Sequence, residues 1–191
     1  MTNLAIALLL ALQSSSTNVG QDRLRVISED MVSVVDREFS LQKMKSTLSQ
    51  EQALPVLAAV ATVESGLRHD IERCKTTGDS GRSVGLGQVM RGPNWRGFTK
   101  KEICESRYLQ LKLALHVIDE CWYRSPRADA ALRCYTSGNP DKNSYVARKE
   151  YETYLAIKHK IHRSIASQTL QACHARSLSY FYVRERTSTQ L

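Results

Sequence analysis

Residues 54–90 read LPVLAAVATVESGLRHDIERCKTTGDSGRSVGLGQVM, and the reading of this stretch decides the fold. From Val56 to Val63 the side chains are apolar or small nearly all the way round, the pattern of a helix buried in the middle of a domain. Pro55 suits the first position of that helix, where its missing N–H costs nothing, and Gly66 is free to terminate it. The helix then delivers one carboxylate, Glu64, at its C-terminal end. There the negative end of the helix dipole and the apolar neighbours both disfavour ionisation, so the Glu64 pKa is expected to rise. A glutamic acid that keeps its proton near neutral pH can act as a general acid. Beyond it the chain is polar, turns at Gly78-Asp79-Ser80-Gly81, and closes on Gly85-Leu86-Gly87-Gln88-Val89-Met90.

Outward from this stretch the pattern is helical in both directions, which predicts a mainly α fold. Upstream, Leu24, Ile27, Met31, Val34, Val35 and Leu41 recur at helical spacing and predict a core-facing helix from Leu24 to about Met44. Before it, residues 4–12 form the apolar run LAIALLLAL followed by Gln13-Ser14-Ser15-Ser16-Thr17. That resembles the core and exit of a secretory signal peptide, although no Lys or Arg precedes Arg23; an apolar packing helix is the alternative for residues 1–17. The run is shorter than the roughly 20 apolar residues a spanning helix needs, and no other segment reads as transmembrane. Downstream, Lys100 to Trp122 reads as one largely apolar helix. Ser125-Pro126 breaks it, and a short helix starts near Arg127. Tyr145 to Ile165 reads as a closing helix with a basic outer face. Residues 20–168 are expected to form the domain, and residues 169–191, where periodicity fades, a basic tail.

Three elements in order over residues 55–140 resemble the lytic transglycosylases and the wider lysozyme-like superfamily. They are the Pro55 helix ending in Glu64-Ser65-Gly66, the Gly85-Leu86-Gly87-Gln88 segment, and Tyr135-Thr136-Ser137-Gly138. Met90 through Pro93 to Trp95 adds a fourth likeness. The chain departs from the family's pattern at Gly87, where Met is usual, and at Cys134, Thr136 and Ser137, which replace Ala, Asn and Ala. The resemblance implies a lysozyme-like helical domain whose central buried helix ends in the catalytic Glu64. It further implies a substrate cleft formed by Ser65, Gln88, Val89, Met90, Tyr135, Ser137 and Gly138, and a peptidoglycan glycan strand as substrate. The implied reaction is cleavage of the bond between N-acetylmuramic acid and N-acetylglucosamine, leaving a 1,6-anhydro end. One carboxylate suffices for this. A hydrolytic muramidase would need a second, for which Asp70 and Asp79 in the long loop are the candidates. A glycan-binding subunit of weak activity is the reading that the departures favour.

The net charge of +8 over 191 residues favours an anionic partner. Zinc-finger spacing, an RNA-binding glycine-aromatic signature and runs of five or more consecutive basic residues are all missing, so nucleic acid is not expected. His159 and His162 share a helix face without a third ligand, so neither a metal nor a cofactor is expected. Cys74, Cys104, Cys121, Cys134 and Cys173 form no CxxC pair. In an oxidising compartment they allow two bridges and one leftover thiol; Cys121 with Cys134 is favoured, because a turn at Ser125-Pro126 would bring their helices together. A periplasmic or extracellular location is expected, with a phage particle or a secretion machine as alternative settings.

Overall fold

A computed structural model of the chain describes residues 2–16 and 18–187, with side chains through residue 170. Eight α-helices and one two-stranded ribbon, with short 3-10 turns at Asp79–Gly81 and Pro93–Trp95, make up the regular structure among the described residues. In chain order these are α1 (Asn3–Gln13), α2 (Gln21–Ser40), α3 (Gln50–Ser65), α4 (His69–Glu72), β1 (Ser83–Val84), β2 (Val89–Met90), α5 (Lys100–Glu105), α6 (Arg107–Arg124), α7 (Ala128–Ser137) and α8 (Tyr145–Thr187). The fold is mainly α, as the sequence pattern requires.

The centre is α3. Val56, Leu57, Ala58, Ala59, Val60 and Ala61 are wholly buried, and α2, α6 and α8 pack around them. Each fully buried Val or Leu here contributes roughly 1.5–3 kcal/mol. The helix begins earlier than Pro55 suggests. The Ser49 side chain accepts from the Gln52 N–H while Gln52 reaches back to the Ser49 N–H, a capping box that starts α3 at Gln50 and leaves Pro55 inside the helix. Its end is as expected, with Gly66 in the left-handed conformation at φ 58°.

Two other boundaries differ from the expected ones. The single helix expected over Lys100 to Trp122 is broken at Ser106, whose extended backbone and side chain cap α6 through the Leu109 N–H at 3.2 Å. Past Gln168, where the apolar rhythm fades, α8 runs on to Thr187; no Pro or Gly follows Pro140, so nothing in the sequence breaks it. Of the tail expected at 169–191, residues 188–191 lie outside the described residues, as does the Cys173 side chain.

The N-terminal apolar segment joins the core. Leu8 and Leu12 are fully buried, with α1 packed between α2 and α8. No helix among the described residues is long and apolar enough to cross a membrane.

The long segment after α3 is tied down at several points. Glu72 is buried and meets Arg107 at 2.9 Å and Arg23 at 2.6 Å, the latter a close ion pair without aligned hydrogen-bond geometry. Arg107 also reaches Asp30 at 2.7 Å. Burial works to raise the Glu72 pKa, but the two guanidiniums hold it below the ordinary value. A disulfide joins Cys74 to Cys104, and a second joins Cys121 to Cys134, the pairing the Ser125-Pro126 turn favours. The buried Gln110 side chain accepts from the Leu86 N–H and donates to the carbonyls of Glu72 and Ile103, stitching the segment to α6.

Removing the shared acid leaves Arg23 and Arg107 facing each other without it. Glu72→Ala is therefore expected to lower stability by about 3 kcal/mol, read from urea unfolding midpoints. Peptide mapping without reductant is expected to recover Cys74 linked to Cys104 and Cys121 linked to Cys134.

Candidate active site

The C-terminal end of α3 opens into a cavity of about 430 Å³ lined by Glu64. One wall is the loop and ribbon, through Gly78, Asp79, Ser83, Gln88, Val89 and Met90; the opposite wall is α6 with the end of α7, from Val117 to Gly138. The ribbon is held by the Trp95 indole N–H, which donates to the Val89 carbonyl at 3.0 Å.

Glu64 is half-buried and sits against a second acid, Glu150 of α8. Glu150 is completely buried, and as a carboxylate neither of its oxygens finds a donor among the described residues. It lies within hydrogen-bonding reach of Glu64. Two carboxylates in contact away from water repel, whereas a carboxylic acid can donate to a carboxylate, so a proton held between them satisfies both. Burial is the main cause that raises the Glu64 pKa; the hydrogen bond from Glu150 works against it, and the charge of Asp79 adds to it. Glu150 is raised further, by burial and then by the charge of Glu64. The pair therefore keeps a proton through neutral pH.

Tyr135 enters from α7. The residue is partly exposed, but its hydroxyl turns inward and donates to the Gly87 carbonyl at 2.6 Å. Burial, followed by the charges of Glu64 and Glu150, pushes the phenol pKa well above its ordinary value and keeps the proton on the oxygen. The same contact accounts for glycine at 87. A Cβ there would lie 2.6 Å from the Ala114 Cβ and 2.9 Å from the Tyr135 hydroxyl, leaving no room for the Met usual at the resembling position.

Of the residues singled out in the sequence, Glu64, Asp79, Gln88, Val89, Met90, Tyr135, Ser137 and Gly138 all line the cavity. Gln88 holds a left-handed backbone at φ 47°, with its amide donating to the Gly85 carbonyl at 2.9 Å. Ser65 is not brought to the cavity. It is buried, and its hydroxyl is committed to the helix end, donating to the Ala61 carbonyl at 2.6 Å and accepting from the Leu67 N–H at 3.1 Å. Asp70 is not brought there either. Arg68 grips it at 2.6 and 3.0 Å and Thr76 donates at 2.8 Å, contacts that hold its carboxyl well below the usual carboxylate range. Asp79 faces the cavity, positioned by the Ser83 hydroxyl at 2.8 Å.

Glu150 is the site residue that sequence reasoning missed, although a signal was present. Ala147, Glu150, Tyr154, Ile157 and Ile161 recur at three- and four-residue intervals and are the buried face of α8. An acid on an otherwise apolar stripe is anomalous and marks a buried carboxyl. Asn94, inside the Met90 to Trp95 stretch, also lines the cavity, as do Glu120 and Arg124, which belong to no motif. Among the described residues no group of three or more His, Cys, Asp or Glu side chains is arranged to hold a metal ion. Compared with known proteins, the chain matches no family model, no curated protein and no solved structure.

Gly87→Ala is expected to force the Tyr135 hydroxyl or α6 aside and cost about 1–3 kcal/mol, with loss of any activity that depends on the cavity; thermal unfolding and an activity assay on the same preparation check both. The acid pair makes stability fall with pH. The folded chain holds a proton that the unfolded chain releases above about pH 4.5, the ordinary glutamate value, so the pair's contribution to stability is full below that pH and is lost as pH rises toward about 10. In Glu150→Gln this decline is expected to flatten, measured as unfolding free energy from pH 4 to 8.

Proposed function

We propose that this protein cleaves the β-1,4 bond between N-acetylmuramic acid and N-acetylglucosamine in peptidoglycan, as a lytic transglycosylase of lysozyme-like fold with Glu64 as both acid and base. The observation that carries the reading is a carboxyl with a raised pKa at the end of the central helix. It faces a cavity whose walls come from the Gly85–Gln88 segment and from Tyr135 to Gly138.

In this mechanism Glu64 gives its proton to the glycosidic oxygen as the bond from that oxygen to the anomeric carbon breaks. The Glu64 carboxylate so formed then takes the proton of the muramoyl 6-hydroxyl while that oxygen bonds to the anomeric carbon. The product carries a 1,6-anhydro end, and the acid form of Glu64 is regenerated. Glu150 remains protonated throughout, its O–H directed at Glu64, where it supports the transient carboxylate in a site with little water. It cannot serve as the second carboxylate of a hydrolase. Paired acids acting across a glycosidic bond stand roughly 5 to 9.5 Å apart, whereas Glu150 is in hydrogen-bonding contact with Glu64.

Asp79 supports hydrolysis as the second reading. It lines the same cavity, and its charge is felt by Glu64. Either reaction suits an oxidising compartment such as the periplasm, in which two disulfides would persist; a phage particle or a secretion machine that opens the wall is an equivalent setting.

The test is the release of products from purified sacculi. Wild type is expected to yield muropeptides lighter by one water than reducing-end products, and Glu64→Gln to lower the rate at least 100-fold, in keeping with loss of a general acid. Reducing ends from wild type, abolished in Asp79→Asn, would establish hydrolysis instead. Undiminished release by Glu64→Gln would remove Glu64 from the chemistry. Glu150→Gln, which keeps a donor toward Glu64, is expected to retain more activity than Glu150→Ala.

A further inference from the structure

One face of α6 lies along the cavity. Val117, Glu120, Cys121 and Arg124 recur at three- and four-residue spacing, and all four line it. Their charges are handled differently. Glu120 is paired with Arg96 at 3.0 Å. Arg124, the last residue of α6, is exposed and has no acidic partner among the described residues. Neighbouring arginines are engaged: Arg91 lies over the Trp95 ring, and Arg133 is paired with Asp129.

The position of Arg124 along the cavity is set by the helix. The Tyr135 hydroxyl, bonded to the Gly87 carbonyl, sits at the Ala114 level of α6. Ten residues further on, Arg124 stands about 15 Å along the axis. Arg124 therefore lies well along the cavity wall from the Tyr135 hydroxyl, in the same cavity that Glu64 lines. The cavity thus holds both the Glu64 carboxyl and an exposed guanidinium with no acidic partner among the described residues.

We propose that Arg124 forms a carboxylate-binding subsite, which reads the acidic peptide substituents carried by the muramoyl sugars of a bound glycan. This rests on the peptidoglycan reading of the cavity. A guanidinium fork pairs a carboxylate through two parallel hydrogen bonds, and an arginine with no internal partner has both to give. The subsite would make the enzyme prefer strands whose peptides keep free carboxylates over those whose carboxylates are amidated, a discrimination that Glu64 cannot supply.

The experiment is calorimetric titration of the Glu64→Gln chain, which spares the ligand, with two soluble glycan fragments. One carries a peptide with free carboxylates, and the other carries the same peptide fully amidated. The acid form is expected to bind about tenfold more tightly. That ratio is expected to fall to near one in Glu64→Gln/Arg124→Ala, to an intermediate value with Arg124→Lys, and to shrink with added salt. A ratio that Arg124→Ala leaves unchanged would overturn the subsite, as would equal binding of the two fragments or binding of neither. Cleavage of sacculi by wild type is scored separately. An Arg124-dependent ratio without cleavage would leave the subsite standing and remove the catalytic reading, and cleavage with a flat ratio would do the reverse.

Discussion

Two carboxyl groups in contact, one half-buried and one completely buried, cannot both be ionised without a large cost where neither has a cationic partner among the described residues. Glu64 and Glu150 are such a pair. A proton retained on Glu150 makes the arrangement tolerable, and the burial that retains it also raises the proton affinity of Glu64, as an acid catalyst needs. The stability cost and the chemical capacity of the site are therefore one property, set by how thoroughly the two helices exclude water from the point where they meet.

Much of the surrounding structure serves that meeting. α3 is apolar on every side because it lies between α2, α6 and α8, so its last turn can carry an acid into a place that is shielded yet open to the cavity. α8 brings Glu150 by placing it on the stripe that also buries Ala147, Tyr154 and Ile157. The turn at Gly87 comes close enough to α6 for its carbonyl to take the Tyr135 hydroxyl, which fixes the third polar group near the pair. The Cys121–Cys134 bridge ties α6 to α7 one residue before Tyr135, so the helix that carries the phenol is covalently fastened to the helix that carries Ala114 and Arg124.

The long loop shows how a polar segment can be ordered without a core of its own. It is pinned by Glu72 between two arginines, by the Cys74–Cys104 bridge and by Gln110, three restraints that use charge, covalency and hydrogen bonding in place of apolar burial. Their result is that Asp79 faces the cavity while Asp70, nine residues earlier, is spent on Arg68 and Thr76 at the surface. Two acids that look equivalent along the chain thus have separate fates, because the loop between them reverses direction through left-handed residues at Cys74, Asp79 and Ser80.

The sequence alone was enough for the helical class, the central helix with Gly66 at its end, the Ser125-Pro126 break with its favoured disulfide, and about half of the cavity lining. These follow from short-range rules: apolar periodicity, capping and turn residues, and local motif order. It misjudged Ser65, because a serine in the last turn of a helix can bond to its own backbone as readily as to a ligand, and local chemistry does not choose. Pro55 suggests too late a start for α3, because the Ser49–Gln52 capping box begins the helix at Gln50. Glu150 stands 86 positions beyond Glu64 in the chain, and its partnership exists only once α8 lies against α3. The raised proton affinity of the pair, the exclusion of any side chain at Gly87 and the isolation of Arg124 all depend on distances between elements remote in sequence, and only the tertiary structure sets those.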